Sequence, residues 1–341
     1  MVYRIVAIPG DGIGREVIPA AMRVLAATGL ALEFVPAEAG WATFERLGTA
    51  LPPETVNAVR TCGVALFGAV SSPARKVPGY RSPIVALRRE LDLYANLRPA
   101  CSVPVSGVRP GVDLLLVREN TEGLYAGRER REGAVAFAER VISLKASQRI
   151  GRLACRLAAR RRGRLTIVHK ANILPETCGL FRDAVREVAR EFPGLEVDEC
   201  LVDTMALRLV QSPEVFDVIV TTNLFGDILS DEAAALVGGL GLAPSGNIGD
   251  GAAVFEPVHG SAPDIAGRGI ANPVAAILAA AMLLEHLGEE SAAARVRRAV
   301  YRVLEGGPRT PDLSGSATTE EVTDAIVASL EDVADGFEGE L

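Results

Sequence analysis

Short apolar runs alternate along this chain with longer segments of helical periodicity, the pattern of an α/β protein. Residues 4–8 read as a strand, and the glycine-rich turn at 10–14 leads into a helix from about Glu16 to Thr28. A strand at 32–38, a helix at 53–62 and a strand at 64–67 follow, the last broken into a loop by residues 68–73. After Pro83 the run IVALRRELDLYA predicts a helix with Leu87 and Leu91 on one face, Arg88 near its middle and Arg98 just past its end. Residues 101–112, rich in Pro, Gly and Ser, suit a crossover between domains. Strands are expected at 113–117, 165–168, 196–202 (ending at Asp203) and 218–220, with helices at 143–162 and 175–191. The most apolar run, 275–284, is well short of the roughly 18 residues of a membrane span and reads as a buried helix. After Gly315 comes a last helix, capped at Thr318 to Glu321, and a polar, frayed tail.

Polar residues gather where the predicted strands end. Thr221, Thr222 and Asn223 close one strand, and Asp227 and Asp231 follow at i and i+4, on one helical face. Two adjacent anions repel unless a cation sits between them, and hard oxygen ligands suit Mg²⁺ or Mn²⁺. The plainer reading is a helix-start carboxylate and a solvated one. Position at a strand end, where open α/β sheets bind ligands, and the nearby His259, Asp264 and Asn272 favour a site across 215–273. Other predicted strand ends and loops carry Arg88, Arg98, Arg118, Tyr125, Lys170, Asn172 and Asp203. Singly, each arginine reads as a surface ion-pair partner. Together, three arginines can clamp carboxylates, three aspartates can hold a divalent metal, and a tyrosine and a lysine can move protons. The turn at 10–14 hints at a Rossmann dinucleotide fingerprint, but its spacing is GxGxG with Arg15 where the pattern continues, so the third glycine is misplaced.

A chain of 341 residues is long for one core and points to two domains. Hydrophobic content of 49% with 23% charged residues is that of a globular protein. A net charge of −7 argues against a nucleic-acid surface. The five cysteines, odd in number and without a CxxC, fit reduced thiols better than disulfides or a zinc site. The first residues lack the pattern of a signal peptide. A cytoplasmic protein without membrane or nucleic-acid partners is the expectation.

The strings LDLYANLRP, RENTEGLYAG, HKANILP, TTNLFGDILSDEAA, GLGLAPSGNIGD and EPVHGSAPDIAGRGIANP resemble those of the β-decarboxylating dehydrogenases. That family includes the isocitrate, 3-isopropylmalate and homoisocitrate dehydrogenases. The likeness runs from GDGIGREV to GPRTPDLSGSATT. It implies an isocitrate/isopropylmalate dehydrogenase-like α/β fold of two domains with a shared central sheet, not a Rossmann fold. Residues 1–99 and 253–341 would form the larger, cofactor-binding domain, and 100–252 the smaller one with dimer contacts and metal ligands.

The resemblance further implies a malate with a substituent on C3 as substrate, and NAD with Mg²⁺ or Mn²⁺ as cofactors. Arg88, Arg98 and Arg118 would hold its carboxylates, and Ser72, Ser82, Val85 and Asn172 would belong to the same substrate site. Asp203, Asp227 and Asp231 would bind the metal. Lys170 would take the hydroxyl proton and Tyr125 would protonate C3, both also touching substrate. Lys170 and Asp203 would come from the partner subunit, so the enzyme would be a homodimer or a dimer of dimers. For the cofactor the implied residues are Val70, Ser71, Ser72, Asn172, His259, Gly260, Ser261, Ala262, Pro263, Asp264, Ile265 and Asn272. Asp264 would meet the ribose hydroxyls and repel a 2′-phosphate, and Ile265 offers nothing to hold one, which favours NAD over NADP. Around Ser82 the apolar Ile84 and Val85 leave room for an isopropyl group, while the overall text is most similar to homoisocitrate dehydrogenases of the α-aminoadipate route to lysine.

Overall fold

Strand β1 (Tyr3–Gly10) carries Ile5, Val6, Ala7 and Ile8, all buried, as expected of a strand covered on both faces. It belongs to a computed structural model that describes residues 2–73, 75 and 77–335. Lys76 of the string RKVPGY and the tail after residue 335 lie outside the described residues. The chain divides into two units, one made of residues up to Leu91, Val103–Val108 and residues from Gly238 on, the other of Asp92–Ser102 and Arg109–Val237.

In the first unit β1 is followed by α1 (Gly14–Ala26), whose Val17, Ile18, Ala21, Val24 and Leu25 form a buried stripe at helical spacing. Then come β2 (Leu32–Pro36), α2 (Trp41–Leu47), α3 (Pro53–Cys62), β3 (Val64–Ala69) and α4 (Pro83–Glu90). Helix α2 is too short for its periodicity to show in the sequence; Asp11 caps its first two N–H groups and Gly48, at φ 73°, stops it. The helix expected to run through IVALRRELDLYA ends at Glu90, because Asp92 takes a left-handed conformation at φ 46°. Arg88 is therefore in the last turn of α4.

The second unit opens with β4 (Ala95–Cys101), so Arg98 lies within a strand rather than past a helix. It continues with β5 (Asp113–Glu119), an exposed hairpin β6 (Glu129–Glu132) and β7 (Val135–Ala138), α5 (Leu144–Ala159), β8 (Arg164–His169) and α6 (Pro175–Ala189). After these come β9 (Glu196–Leu201), α7 (Val202–Gln211), β10 (Val218–Thr221) and α8 (Asn223–Leu236). The strand expected to reach Asp203 stops at Leu201, and Asp203 sits in the first turn of α7. Strand order is β4-β5-β10-β8-β9. β4 runs antiparallel to β5, and the other pairs are parallel. Thr221 pairs with both Arg118 and Val168, so the carboxyl ends of β5, β10 and β8 lie in one row. That row carries Arg118, Thr221 and His169.

The first unit resumes with β11 (Pro244–Ile248), β12 (Ala253–Pro257), α9 (Val274–His286), α10 (Glu290–Gly306) and α11 (Thr319–Asp335). Its strand order is β2-β1-β3-β12-β11, with only β11–β12 antiparallel. Residues 274–284 of α9 are all buried, as its unbroken apolar sequence predicts. No described helix is long and apolar enough to cross a membrane. The cap of α11 is reciprocal: Glu321 N–H donates to Thr318 Oγ1 at 3.1 Å, and Thr318 N–H to Glu321 Oε2 at 2.8 Å. The unit boundaries differ from the expected 99/100 and 252/253. β4 pairs with β5 and so falls in the second unit, whereas β11 pairs with β12 and so falls in the first.

Candidate active site

In the second unit the site is built on Arg118, at the end of β5 and only 1% exposed. Its Nε and Nη2 donate to Asn223 Oδ1 at 3.0 and 2.7 Å, and its Nη1 pairs with Asp227. Helix α8 passes this close because residue 226 is glycine: a Cβ there would lie 2.7 Å from Arg118 Cβ and Cγ. Tyr125 donates its hydroxyl proton to Asp227 Oδ2, and the Arg118 guanidinium stands 5.1 Å from the Tyr125 ring centroid. Burial first, and then the Asp227 carboxylate, push the Tyr125 phenol up, so it keeps its proton at neutral pH. Arg98 reaches the same helix, with Nη1 3.2 Å from Asp231 Oδ1 and Nη2 3.9 Å from Asp227 Oδ1, while Asn96 Oδ1 accepts from its Nε at 2.7 Å. The two aspartates, one turn apart, are thus neutralised by two arginines.

The loop that carries Tyr125 is itself pinned by carboxylates. Buried Glu119 accepts from Thr121 N and Oγ1 and from Glu122 N, and burial raises its pKa. Glu122 accepts from Ser143 N at 2.7 Å and from its hydroxyl, tying the loop to the start of α5.

Lys170 and Asp203 form a separate ion pair, and the hydrogen bond from Lys170 holds the Asp203 carboxyl below the usual range. The turn after β8 that presents Lys170 is fixed by His169, whose Nδ1 accepts from Ala171 N at 3.1 Å. The ring proton therefore sits on Nε2, 3.4 Å from Glu199 but too poorly aligned for a hydrogen bond. Burial lowers the His169 pKa and keeps the ring neutral. Asn172 is exposed on the same turn. Among the described residues no three His, Cys, Asp or Glu side chains converge as a metal site; Asp227 and Asp231 share one helix face, and Asp203 pairs with Lys170. As a donor set the carboxylates fit a hard divalent cation, for which Asp227 and Asp231 supply one side.

In the first unit Arg88 is buried and tied to two strands. Its Nε donates to Asn247 Oδ1 at 2.9 Å and its Nη2 to Glu256 Oε1 at 3.2 Å, while Asn247 Nδ2 donates to the same glutamate oxygen at 2.7 Å. Ser82 precedes α4 as its cap residue, and Ile84 and Val85 are half-buried on its first turn. Val70, Ser71 and Ser72 follow β3, and Ser71 Oγ lies 2.8 Å from Ser261 Oγ. Asn272 is held by Asp312, whose Oδ2 accepts from Nδ2 at 2.9 Å. His259 Nδ1 donates to the Gly260 carbonyl at 3.0 Å, which leaves Nε2 an acceptor, buried and without a partner among the described residues. Burial lowers the His259 pKa. A buried acceptor left unpaired costs about 1–3 kcal/mol, and a donor on a bound nucleoside would satisfy it. Ala262, at φ 39°, turns the chain so that Ile265 N and Ala266 N both donate to its carbonyl, with Pro263 and Asp264 at the exposed tip. Those residues fit a dinucleotide. The roles of Asn223, Asn247, Glu256 and Asp312 were not assigned from the sequence, although all four lie within the quoted strings, because each meets its partner only in the fold.

The sequence pattern described as isocitrate/isopropylmalate dehydrogenase matches residues 4–326. The chain belongs to that family. It is 67% identical over 331 residues to the isocitrate/homoisocitrate dehydrogenase of Thermus thermophilus, covering 97% of this chain and 99% of the relative. It is 49% identical over 330 residues to the 3-isopropylmalate dehydrogenase of Archaeoglobus fulgidus, covering 96% and 99%. Among solved structures it superimposes on isocitrate dehydrogenase from Methylococcus capsulatus with a TM-score of 0.92 at 48% identity, covering 96% of this chain and 99% of the other. Its mixed α/β architecture with a large sheet is the isocitrate/isopropylmalate dehydrogenase-like fold, not a Rossmann fold. As a family member the chain is an oxidoreductase, a β-decarboxylating dehydrogenase acting on a small molecule.

Proposed function

We propose that this dehydrogenase oxidises homoisocitrate with NAD and Mg²⁺ or Mn²⁺, releasing CO₂ and 2-oxoadipate, in lysine synthesis through α-aminoadipate. The observation that carries the chemistry is the node at Asp227, which gathers Arg98, Arg118 and the protonated Tyr125 around two carboxylates on one helix face. When bound, the cation polarises the C2 oxygen and the nicotinamide accepts the C2 hydride. Asp227 and Asp231 hold the cation with Asp203. Arg98 and Arg118, freed from the aspartates, take substrate carboxylates, and Arg88 serves as the third clamp. Lys170, as the free amine once Asp203 turns to the cation, accepts the C2 hydroxyl proton. The C3 carboxylate leaves as CO₂, and Tyr125 gives its proton to C3.

Asp203 and Lys170 act from a second copy of the chain in this proposal. Leu207 and Val210 on α7 and Ile228 on α8, each more than half exposed, support a paired surface there. On the cofactor, the exposed Asp264 and the adjoining Ile265 support NAD over NADP. The name of the Thermus relative supports homoisocitrate, with isocitrate as a second substrate. The half-buried Ile84 and Val85 support 3-isopropylmalate as the other candidate.

The reaction is tested by its balance. With Mg²⁺ and NAD⁺ the purified protein is expected to release CO₂ and form NADH one for one, and a chelator is expected to abolish both. NADH formation without CO₂, or undiminished turnover in chelator, would contradict the proposal.

A further inference from the structure

Between β1 and α1 the turn at residues 10–14 forms a seam between two segments of the first unit. A Cβ on Gly10, at φ 73°, would collide with the Ala69 carbonyl, and one on Gly12, at φ 52°, with the Ser261 carbonyl. Only glycine admits both approaches in that backbone conformation. Backbone bonds close the seam, from Asp11 N to Ala69 O at 2.7 Å and from Ile13 N to Ser261 O at 2.9 Å. Between the two glycines, Asp11 is 5% exposed and accepts three backbone protons. Its Oδ2 takes Ser71 N at 3.0 Å and Trp41 N at 2.6 Å, and its Oδ1 takes Ala42 N at 3.1 Å. Ser71 is held from its other side by the Tyr80 hydroxyl, which donates to the Ser71 carbonyl at 2.8 Å. The Tyr80 ring stacks edge-on against Trp41, with centroids 5.3 Å apart, on the helix that Asp11 caps.

We infer that Asp11 is a positioning residue for the dinucleotide: it fixes the Ser71 segment against the Ser261 segment so that both present their groups together. This rests on the reading that these two segments bind NAD. Asp11 itself touches no reacting atom. Its carboxylate is the common acceptor that ties the Ser71 backbone to the start of α2, and the Ser71–Ser261 hydroxyl contact depends on that placement.

The test is NADH binding by fluorescence titration to the full chain, with steady-state kinetics alongside. Asp11→Asn sets an amide N–H₂ against at least one of the three N–H donors. NADH Kd is expected to rise about tenfold, the scale of one lost charge-assisted hydrogen bond. The KM for NAD⁺ should rise with it, while kcat and the KM for the hydroxy acid stay within about twofold. A merely structural role would lower thermal stability and degrade both substrates' KM in parallel, and that result, or an unchanged NADH Kd, overturns the inference. Should Asp11→Asn fail to fold, Tyr80→Phe keeps the aromatic packing and removes the hydroxyl that holds the Ser71 carbonyl and meets Ser72; it should weaken NADH by about threefold, and unaltered affinity would count against the role. Asp264→Ala separates the two claims. If it leaves NADH binding intact, the cofactor reading fails and the inference with it; if it loses NADH while Asp11→Asn does not, the inference alone fails.

Discussion

Replacing Lys170 by alanine is expected to lower kcat by about 10²–10⁴-fold, the span that a positioned general base contributes. The fold should survive, because the Asp203 side chain left behind is 61% exposed and water takes over its solvation, so the lost pair contributes little stability. The turn that presents residue 170 is held independently by the His169 to Ala171 bond, so truncation at 170 does not unmake its surroundings. The measurement is kcat across pH, with melting temperature as control. A variant retaining kcat within about tenfold of the parent would remove Lys170 from the role of base.

Asp227→Asn carries the second large effect, on metal binding. The amide keeps the shape and one oxygen but not the charge, so the affinity for Mg²⁺ or Mn²⁺ should fall by about 10–100-fold or more, and turnover with it. Arg118 loses its anionic partner but keeps both bonds to Asn223. With the Asp227 side chain 32% exposed, solvent compensates part of that loss, so the expected cost in stability is about 1–3 kcal/mol rather than unfolding. Calorimetric titration with the metal, beside a thermal melt, separates the two. An unchanged metal affinity would sink the assignment of Asp227 as a ligand.

Strands β1, β3, β5, β8 and β10 and helix α9 were legible in the sequence because their apolar runs are continuous, which is what burial on both sides of a sheet or all round a helix requires. Strands β11 and β12 were not. The completely buried Ser245 and Asn247 and the nearly buried Glu256 interrupt their apolar pattern, and Asn247 and Glu256 are there to hold Arg88, 159 and 168 residues away in sequence. The same holds for Asp11, whose partners at 41, 42 and 71 come together only in the fold. At LDLYANLRP the helical spacing of the leucines was a false guide, since the left-handed Asp92 ends the helix and delivers Arg98 on a strand. Asp227 and Asp231 were readable because their partnership is local, at i and i+4 on one helix.

The most direct measurement is NADH formation with Mg²⁺ and NAD⁺, comparing kcat/KM for homoisocitrate, isocitrate and 3-isopropylmalate. The highest value is expected for homoisocitrate, on the proposal that Arg88, Arg98 and Arg118 hold the carboxylates common to all three malates and the α4 start sets their order. A preference for 3-isopropylmalate would contradict it, and would mean that Ile84 and Val85 line an apolar pocket for the C3 substituent.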